Sequence, residues 1–259
     1  MKKNIPLLLF TLISISFFAC EKAGLRLTEY SLPTDKAFVR FVLLSPNTPN
    51  VMIKSNDIKL NGATTGGNGG IFPSTVTFPD YAAVNPDATI KLSLPNIGTQ
   101  NDSVVLFTNK LSLVAGKFYS LTLSDTGVNR TAFSIEDEFI AQKDSFLAVR
   151  LINATVGSVH NLIRVDSASA TDVVRDTIAR NVAYRGSSGF IAVRTFSTRP
   201  FIRLRVVTNT GVLVAGQVIP PQSLATGSRR SITLYTSGFT NGLAAPFLPT
   251  LITSTVTNQ

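Results

Sequence analysis

One histidine, His160, and one cysteine, Cys20, supply all the imidazole and thiol chemistry in a chain of 259 residues. That count excludes a zinc centre, a paired-cysteine site and more than one histidine-dependent triad. His160 stands beside Val159 and Leu162 in an alternating apolar run, the setting of a structural strand histidine, and no nucleophile and orienting acid can be assigned to it. Glu136-Asp137-Glu138 could collect Ca²⁺, but an Asp-x-Asp-x-Asp loop with a closing Glu is absent, so the stretch reads as a solvated linker. Glycoside hydrolysis needs only a carboxylate pair, yet the chain beyond residue 144 has no Glu and the whole chain has no Trp to stack on sugars. Gly66-Gly67-Asn68-Gly69-Gly70 lacks the Lys-Ser/Thr ending and following helix of a phosphate loop and reads as a mobile loop. The expectation is a non-enzyme with no catalytic residue, cofactor or metal; a glycan-degrading enzyme is the remaining catalytic alternative.

The elements that must position these residues are strands. Only 15% of residues are charged and 44% are apolar, with Val, Ile, Leu, Thr and Phe plentiful, which argues against long solvated helices. Short apolar runs bounded by turn residues fall at 37–44, 51–60, 74–78, 88–94, 103–108 and 118–124, and again at 146–153, 160–166, 172–180, 189–196, 201–208, 211–219 and 230–236. Asn61-Gly62, Asp125-Thr126-Gly127 and Asn209-Thr210-Gly211 read as turns between them. Val39-Arg40-Phe41-Val42, Ser45 and Ile53 align with Val149-Arg150-Leu151-Ile152, Thr155 and Ile163 at an offset of 110 residues. Ser120-Leu121-Thr122-Leu123 aligns with Ser231-Ile232-Thr233-Leu234 at an offset of 111. Two anchors at nearly one offset indicate a duplicated domain of ~100 residues, the size of an Ig-like sandwich. Val39 and Phe41 alternate with Arg40, and Val149 and Leu151 with Arg150, which places both arginines outward.

The N-terminus has the layout of a secretory signal: Lys2 and Lys3, then an apolar run from Ile5 to Phe18, too short to span a bilayer comfortably. Ser16-Phe17-Phe18-Ala19-Cys20 resembles the lipobox of bacterial lipoproteins, with Phe17 where that family usually has Leu. The resemblance implies cleavage after residue 19 and lipidation of Cys20, giving a membrane-anchored protein of the cell envelope, with the outer membrane favoured. The expected division is 1–19 signal peptide, 20–36 tether, 37–128 first sandwich, 129–144 linker, 145–240 second sandwich and 241–259 a C-terminal segment whose Phe247 to Val256 stretch adds a last strand. The fold class is all-β: two tandem Ig-like or transthyretin-like antiparallel β-sandwiches after a lipoprotein signal peptide.

The units resemble a family of extracytoplasmic β-sandwich domains of unknown function found in tandem in bacterial lipoproteins and envelope proteins. Val39-Arg40-Phe41-Val42 with Ser45-Pro46 and Pro49 carries its first-strand motif, and Gly116-Lys117-Phe118-Tyr119-Ser120-Leu121 its late-strand motif. In the second copy Thr155-Val156 and Ser228-Arg229-Arg230 replace the corresponding residues. The resemblance implies no catalytic residue.

Charge separates the copies. Residues 20–144 hold 11 basic and 12 acidic side chains, whereas 145–259 hold 11 arginines against Asp166, Asp172 and Asp176. Ser197-Thr198-Arg199-Pro200 reads as a hairpin turn that sets Phe196 opposite Phe201 and Arg194 opposite Arg203, with Ile191, Val193, Leu204 and Val206 facing the core. Arg194, Phe196, Phe201, Arg203 and Arg205 then share one outward face, a candidate binding patch for an anionic glycan or an envelope protein. The alternative is a face of solvated arginines partly paired with Asp172 and Asp176. Nucleic acid is not an expected partner, given the extracytoplasmic address and no nucleic-acid-binding motif. The reading is a non-catalytic structural or binding module; a pilin-like subunit polymerising by strand donation is the second option.

Overall fold

The computed structural model describes residues 32–61, 65, 70–73, 81–95, 102–126, 129–138, 146–166, 173–194, 201–211, 222–225, 230–239 and 250–257. Among them the regular elements are all strands: β1 (Ala37–Leu43), β2 (Met52–Ser55), β3 (Ile58–Lys59), β4 (Gly70–Phe72), β5 (Ala82–Val84), β6 (Thr89–Pro95), β7 (Asp102–Lys110), β8 (Phe118–Ser124) and β9 (Thr131–Glu136) in the first half. The second half has β10 (Phe146–Asn153), β11 (Val159–Asp166), β12 (Val173–Ala183), β13 (Ile191–Arg194), β14 (Phe201–Thr208), β15 (Gln222–Ala225), β16 (Arg230–Ser237) and β17 (Thr250–Thr257).

Each half is a β-sandwich. In the first, an inner sheet ordered β4-β1-β8-β9, with β5 also paired to β1, faces an outer sheet ordered β3-β2-β6-β7. In the second, an inner sheet β13-β10-β16-β17 faces an outer sheet β12-β11-β14-β15. The orders match strand for strand, so the duplication read from the sequence is also a duplication of topology. Val39, Phe41, Leu43, Ile53, Ile90, Leu92, Tyr119, Leu121 and Leu123 close the first core, and Leu147, Val149, Leu151, Leu162, Val193, Leu204, Val206, Ile232 and Leu234 the second. Alternation with period two puts these side chains on the facing sides of the sheets.

The sheets are not wholly antiparallel: β1 runs parallel to β8 and β10 parallel to β16, each first strand lying beside a late one. Residues 129–144 are not simply a linker, because Thr131–Glu136 forms β9, antiparallel to β8. Its counterpart is β17, which pairs with β16 over Thr250–Thr257. The anticipated C-terminal strand is therefore present, although Phe247 to Pro249 lie outside the described residues. The run 51–60 divides into β2 and β3 around Asn56 and Asp57, both left-handed with φ 48° and 66°. A turn therefore falls at Asn56-Asp57; Gly62 of the expected Asn61-Gly62 turn lies outside the described residues, and Asn61 itself is buried, its Oδ1 accepting from the Ile53 N–H at 2.8 Å and its Nδ2 donating to the Val51 carbonyl at 3.0 Å. The constant offset also slips. Ile53 faces the first core, whereas Ile163 lies on the far side of its sheet with Val165 and Val207, and Leu162 takes the core position. Gly116, at φ 76° before β8, explains the glycine of the late-strand motif, since a side chain there would be strained. The 74–78 run, most of the 211–219 run and Gly66 to Gly69 lie outside the described residues.

Candidate functional site

The arginine patch does not assemble as the hairpin register requires. β13 pairs with β10 in the inner sheet, while β14 is flanked by β11 and β15 in the outer sheet, so Arg194 and Arg203 are not cross-strand neighbours. Both edges of β14 are taken, by β11 on one side and β15 on the other, and β13 instead pairs with β10. The inward half of the reading holds: Val193, Leu204 and Val206 are buried in the second core and Ile191 packs against it. Arg194 is exposed on β13. Arg205 stands opposite Ile163 and Arg203 opposite Val165, on the face of the outer sheet away from the core. That face is not a solvated arginine surface, because Ile163, Val165 and Val207 are buried on it and Arg205 is half-buried among them. Phe196 and Asp172 lie outside the described residues, and Phe201 is placed only as the first residue of β14.

The side chains that do converge are the two motif arginines, and they converge inward. Arg40 and Arg150 are each 3% exposed, a reversal of their expected outward placement. The second faces of the inner sheets meet each other: Val42 and Leu44 of the first half pack with Ile152, Ala154 and Tyr235 of the second, and Ile71, Phe133 and Ile135 close the edge. Within this seam Arg150 Nη1 lies 2.6 Å from Asp137 Oδ1, with side chains 4% and 1% exposed. Asp137 Oδ2 also accepts from the Tyr81 hydroxyl at 2.7 Å and the Ser120 hydroxyl at 2.8 Å. Arg150 Nη2 donates to Thr233 Oγ1 at 3.0 Å, and its guanidinium covers the Phe190 ring 4.3 Å from the centroid. Arg40 lies over the Tyr81 ring at 4.9 Å. Burial first, and then the neighbouring Asp137 carboxylate, push the Tyr81 hydroxyl well above the ordinary tyrosine range. Asp137 is thus the centre of a buried network and not part of a solvated acidic trio; Glu136, by contrast, is exposed and bonds Lys117 at 2.5 Å.

A second buried polar group belongs to the second half alone. His160 on β11 is fully buried, as the strand reading required, with Nδ1 3.2 Å from Thr236 Oγ1. Thr236 in turn donates to Asn153 Oδ1 at 2.9 Å, and Asn153 Nδ2 donates to the Val182 carbonyl at 2.9 Å. Among the described residues His160 Nε2 has no hydrogen-bond partner. Burial lowers the imidazole pKa to about 4, so the ring is neutral at ordinary pH.

No family model and no curated protein sequence matches the chain. Two solved structures align over most of it at low similarity. One is a family 26 carbohydrate-binding module of Eubacterium rectale Amy13K in complex with maltoheptaose, 13% identical, covering 86% of this chain and 97% of its own, at a TM-score of 0.25. The other is a candidate cell adhesion protein from Bacteroides uniformis, 8% identical, covering 86% and 98%, at a TM-score of 0.20. Superpositions at such scores carry no argument about a ligand.

The outer face of the first half's outer sheet holds a further group, missed in the sequence because its members are far apart. Lys54 on β2 stands directly opposite Lys59 on β3 and opposite Lys91 on β6, and Thr108 on β7 stands opposite Lys91. Only the strand register brings them together. Among the described residues no group of three or more His, Cys, Asp or Glu is placed to hold a metal ion, and no helix is long and apolar enough to cross a membrane. Cys20 lies outside the described residues.

Proposed function

We propose that the chain is a non-catalytic, lipid-anchored envelope protein whose tandem β-sandwiches serve as one structural and binding module for protein or glycan contact. The observation that carries this reading is the seam. The arginine of each first-strand motif is buried between the halves, and the Arg150–Asp137 pair ties them, so the residues with the strongest chemistry are engaged in joining two sandwiches. Residues 34–259 form one compact unit, which fits a module presented at the end of a tether. His160, the one imidazole, is enclosed by the core beyond the reach of a substrate. The family that the two motifs resemble, and its envelope setting, belong to this same reading.

The pilin-like alternative needs a sheet edge left vacant for a donated strand. Here β17 of the same chain pairs with β16 along its whole length, which favours a self-contained module. The anchor is tested by metabolic labelling with a fatty-acid analogue. Wild-type protein should take up the label and Cys20→Ala should not; label that survives the substitution overturns the anchoring.

A further inference from the structure

The loops at one end of the first sandwich gather around the point where the chain enters it. β1 begins beside the end of β5, with Ala37 opposite Val84, and β8 begins beside β1, with Phe118 next to Phe38. In the outer sheet Thr89 stands opposite Lys110, and Ser55 stands opposite both Ile90 and Ile58. Residues 34–36, the β2–β3 turn, the 85–88 loop and the 111–117 loop therefore share that end. So do the two most exposed large apolar side chains among the described residues, Ile58 at 70% and Val114 at 60%. Both are held in place by their surroundings. Leu111 and Leu113 turn inward onto the core, and their N–H groups donate to the Ala88 and Pro86 carbonyls at 2.8 and 3.0 Å. The Val114 N–H donates to the Tyr119 hydroxyl at 3.2 Å, and the Gly116 N–H to the Lys36 carbonyl at 2.7 Å, which ties this loop to the entering chain. Beside Ile58, the Asn56 N–H donates to the Thr89 carbonyl and Asn56 Oδ1 accepts from the Thr89 N–H, both at 2.9 Å. Fixed loops that hold apolar side chains in water forgo the burial those side chains favour.

We propose that this end of the first sandwich rests on the bilayer that carries the chain's own anchor, with Ile58 and Val114 inserted at the headgroup level. Fourteen residues separate Cys20 from Thr34, a length that reaches at most about 50 Å when fully extended. An anchor at Cys20 keeps the entry end within that distance of the membrane. Two side chains are too little apolar surface to hold a free protein there, since even one myristoyl chain gives marginal binding. Tethering raises their effective concentration at the surface, so they set the orientation of the module and not its affinity. Charges at this end are paired: Lys36 lies 3.1 Å from Asp35, Lys91 2.5 Å from Asp57 and Lys117 2.5 Å from Glu136. Apolar insertion is then the driving force, and the contact needs no anionic lipid. The inference rests on the reading of the chain as lipid-anchored and adds the surface that meets the membrane.

The chain has no Trp, so a single introduced tryptophan reports on its own position. I58W and V114W probe the contact. V104W is the control: Val104 is also apolar and exposed, but it stands opposite Leu94, six residues and about 20 Å along β7 from Lys110. Each full-length lipidated variant, its fold checked by far-UV circular dichroism, is reconstituted into phosphatidylcholine vesicles with brominated acyl chains. The emission of I58W and V114W should shift to the blue and lose intensity to the bromines, and that of V104W should do neither. The same result is expected with added phosphatidylglycerol and at high salt, which screens exposed charges. Adding I58D to V114W should reverse part of the quenching. Equal emission at the three positions, quenching of V104W alone, or quenching that requires phosphatidylglycerol at low salt overturns the proposal. Flotation separates this contact from the anchor. A chain that floats with the vesicles while I58W and V114W stay in water keeps the anchor and loses the contact, whereas a chain that does not float loses both.

Discussion

The first and second halves share a strand order but divide their polar residues differently. The first half lines the surface of its outer sheet with lysines and sends Arg40 and a buried carboxylate, Asp137, into the seam. The second half answers with Arg150 in the seam, buries His160 and Asn153 in its own interior, and covers its outer sheet with Ile163, Val165 and Val207. One topology has therefore been used for two surfaces, one charged and one largely closed. A sandwich fixes which residues face inward along each strand, but leaves the outer faces free to differ.

The comparison is broken most directly at the seam. Asp137→Ala leaves Arg150 buried without its carboxylate and should cost about 3–5 kcal/mol, the range for removing one partner of a buried pair. Tyr81 and Ser120 lose an acceptor at the same time. The loss should appear as a lower urea midpoint for the whole unit, since the pair belongs to both halves. Arg150→Met combined with Asp137→Leu should recover part of it, because no charge is then left buried without its partner, while the Tyr81 and Ser120 hydroxyls still lack their carboxylate acceptor. An Asp137→Ala protein within about 1 kcal/mol of wild type would show that the apolar contacts alone hold the seam.

A pH titration sharpens the contrast between the interiors. The folded His160 titrates near 4 against an ordinary 6.5, so between those values the unfolded chain binds a proton that the folded chain refuses. The contribution is present in full above pH 6.5 and is lost as pH falls towards 4, amounting to about 3 kcal/mol when complete. His160→Gln should flatten this part of the profile, and the difference curve between the two proteins isolates it from carboxylate titration. The first half has no histidine among residues 34–138, and its buried Asn61 carries no charge at any pH, so the slope belongs to the second half.

Much of this architecture was legible in the residues. The repeat offset and the period-two runs gave the duplication and most strands, because the core-facing alternation survives divergence. Arg40 and Arg150 were read outward by the same alternation, but the signal against that reading was present. Val39 to Leu44 has one polar residue in six, and a near-continuous apolar run marks a strand buried on both faces. β9 was hidden behind its acidic end, although Phe133 and Ile135 alternate with Ser134. The hairpin after β13 failed for a different reason. A turn at Ser197 to Pro200 is a local property, whereas the pairing of β14 with β11 and β15 is decided by segments far away in sequence. The lysine row was invisible for that same reason, since Lys54 and Lys91 meet only through register.

The smallest effect concerns that row, and its sign is informative. If Lys54 opposes both Lys59 and Lys91, removing its charge relieves repulsion, so Lys54→Gln should stabilise the protein by about 0.2–1 kcal/mol at low ionic strength. The gain should shrink in high salt, where exposed charges are screened. Lys36→Gln, which breaks an exposed pair with Asp35 at 3.1 Å, should instead change stability by no more than about 0.5 kcal/mol in the destabilising direction. Denaturant melts of the two variants at two salt concentrations separate these outcomes. A stabilising, salt-sensitive Lys54→Gln would mean that the first half carries net repulsion on its outer sheet despite the Lys91–Asp57 pair. A Lys54→Gln protein no more stable than wild type at low salt would mean that its neighbours already neutralise the row, and the contrast between the halves would then reside in their interiors alone.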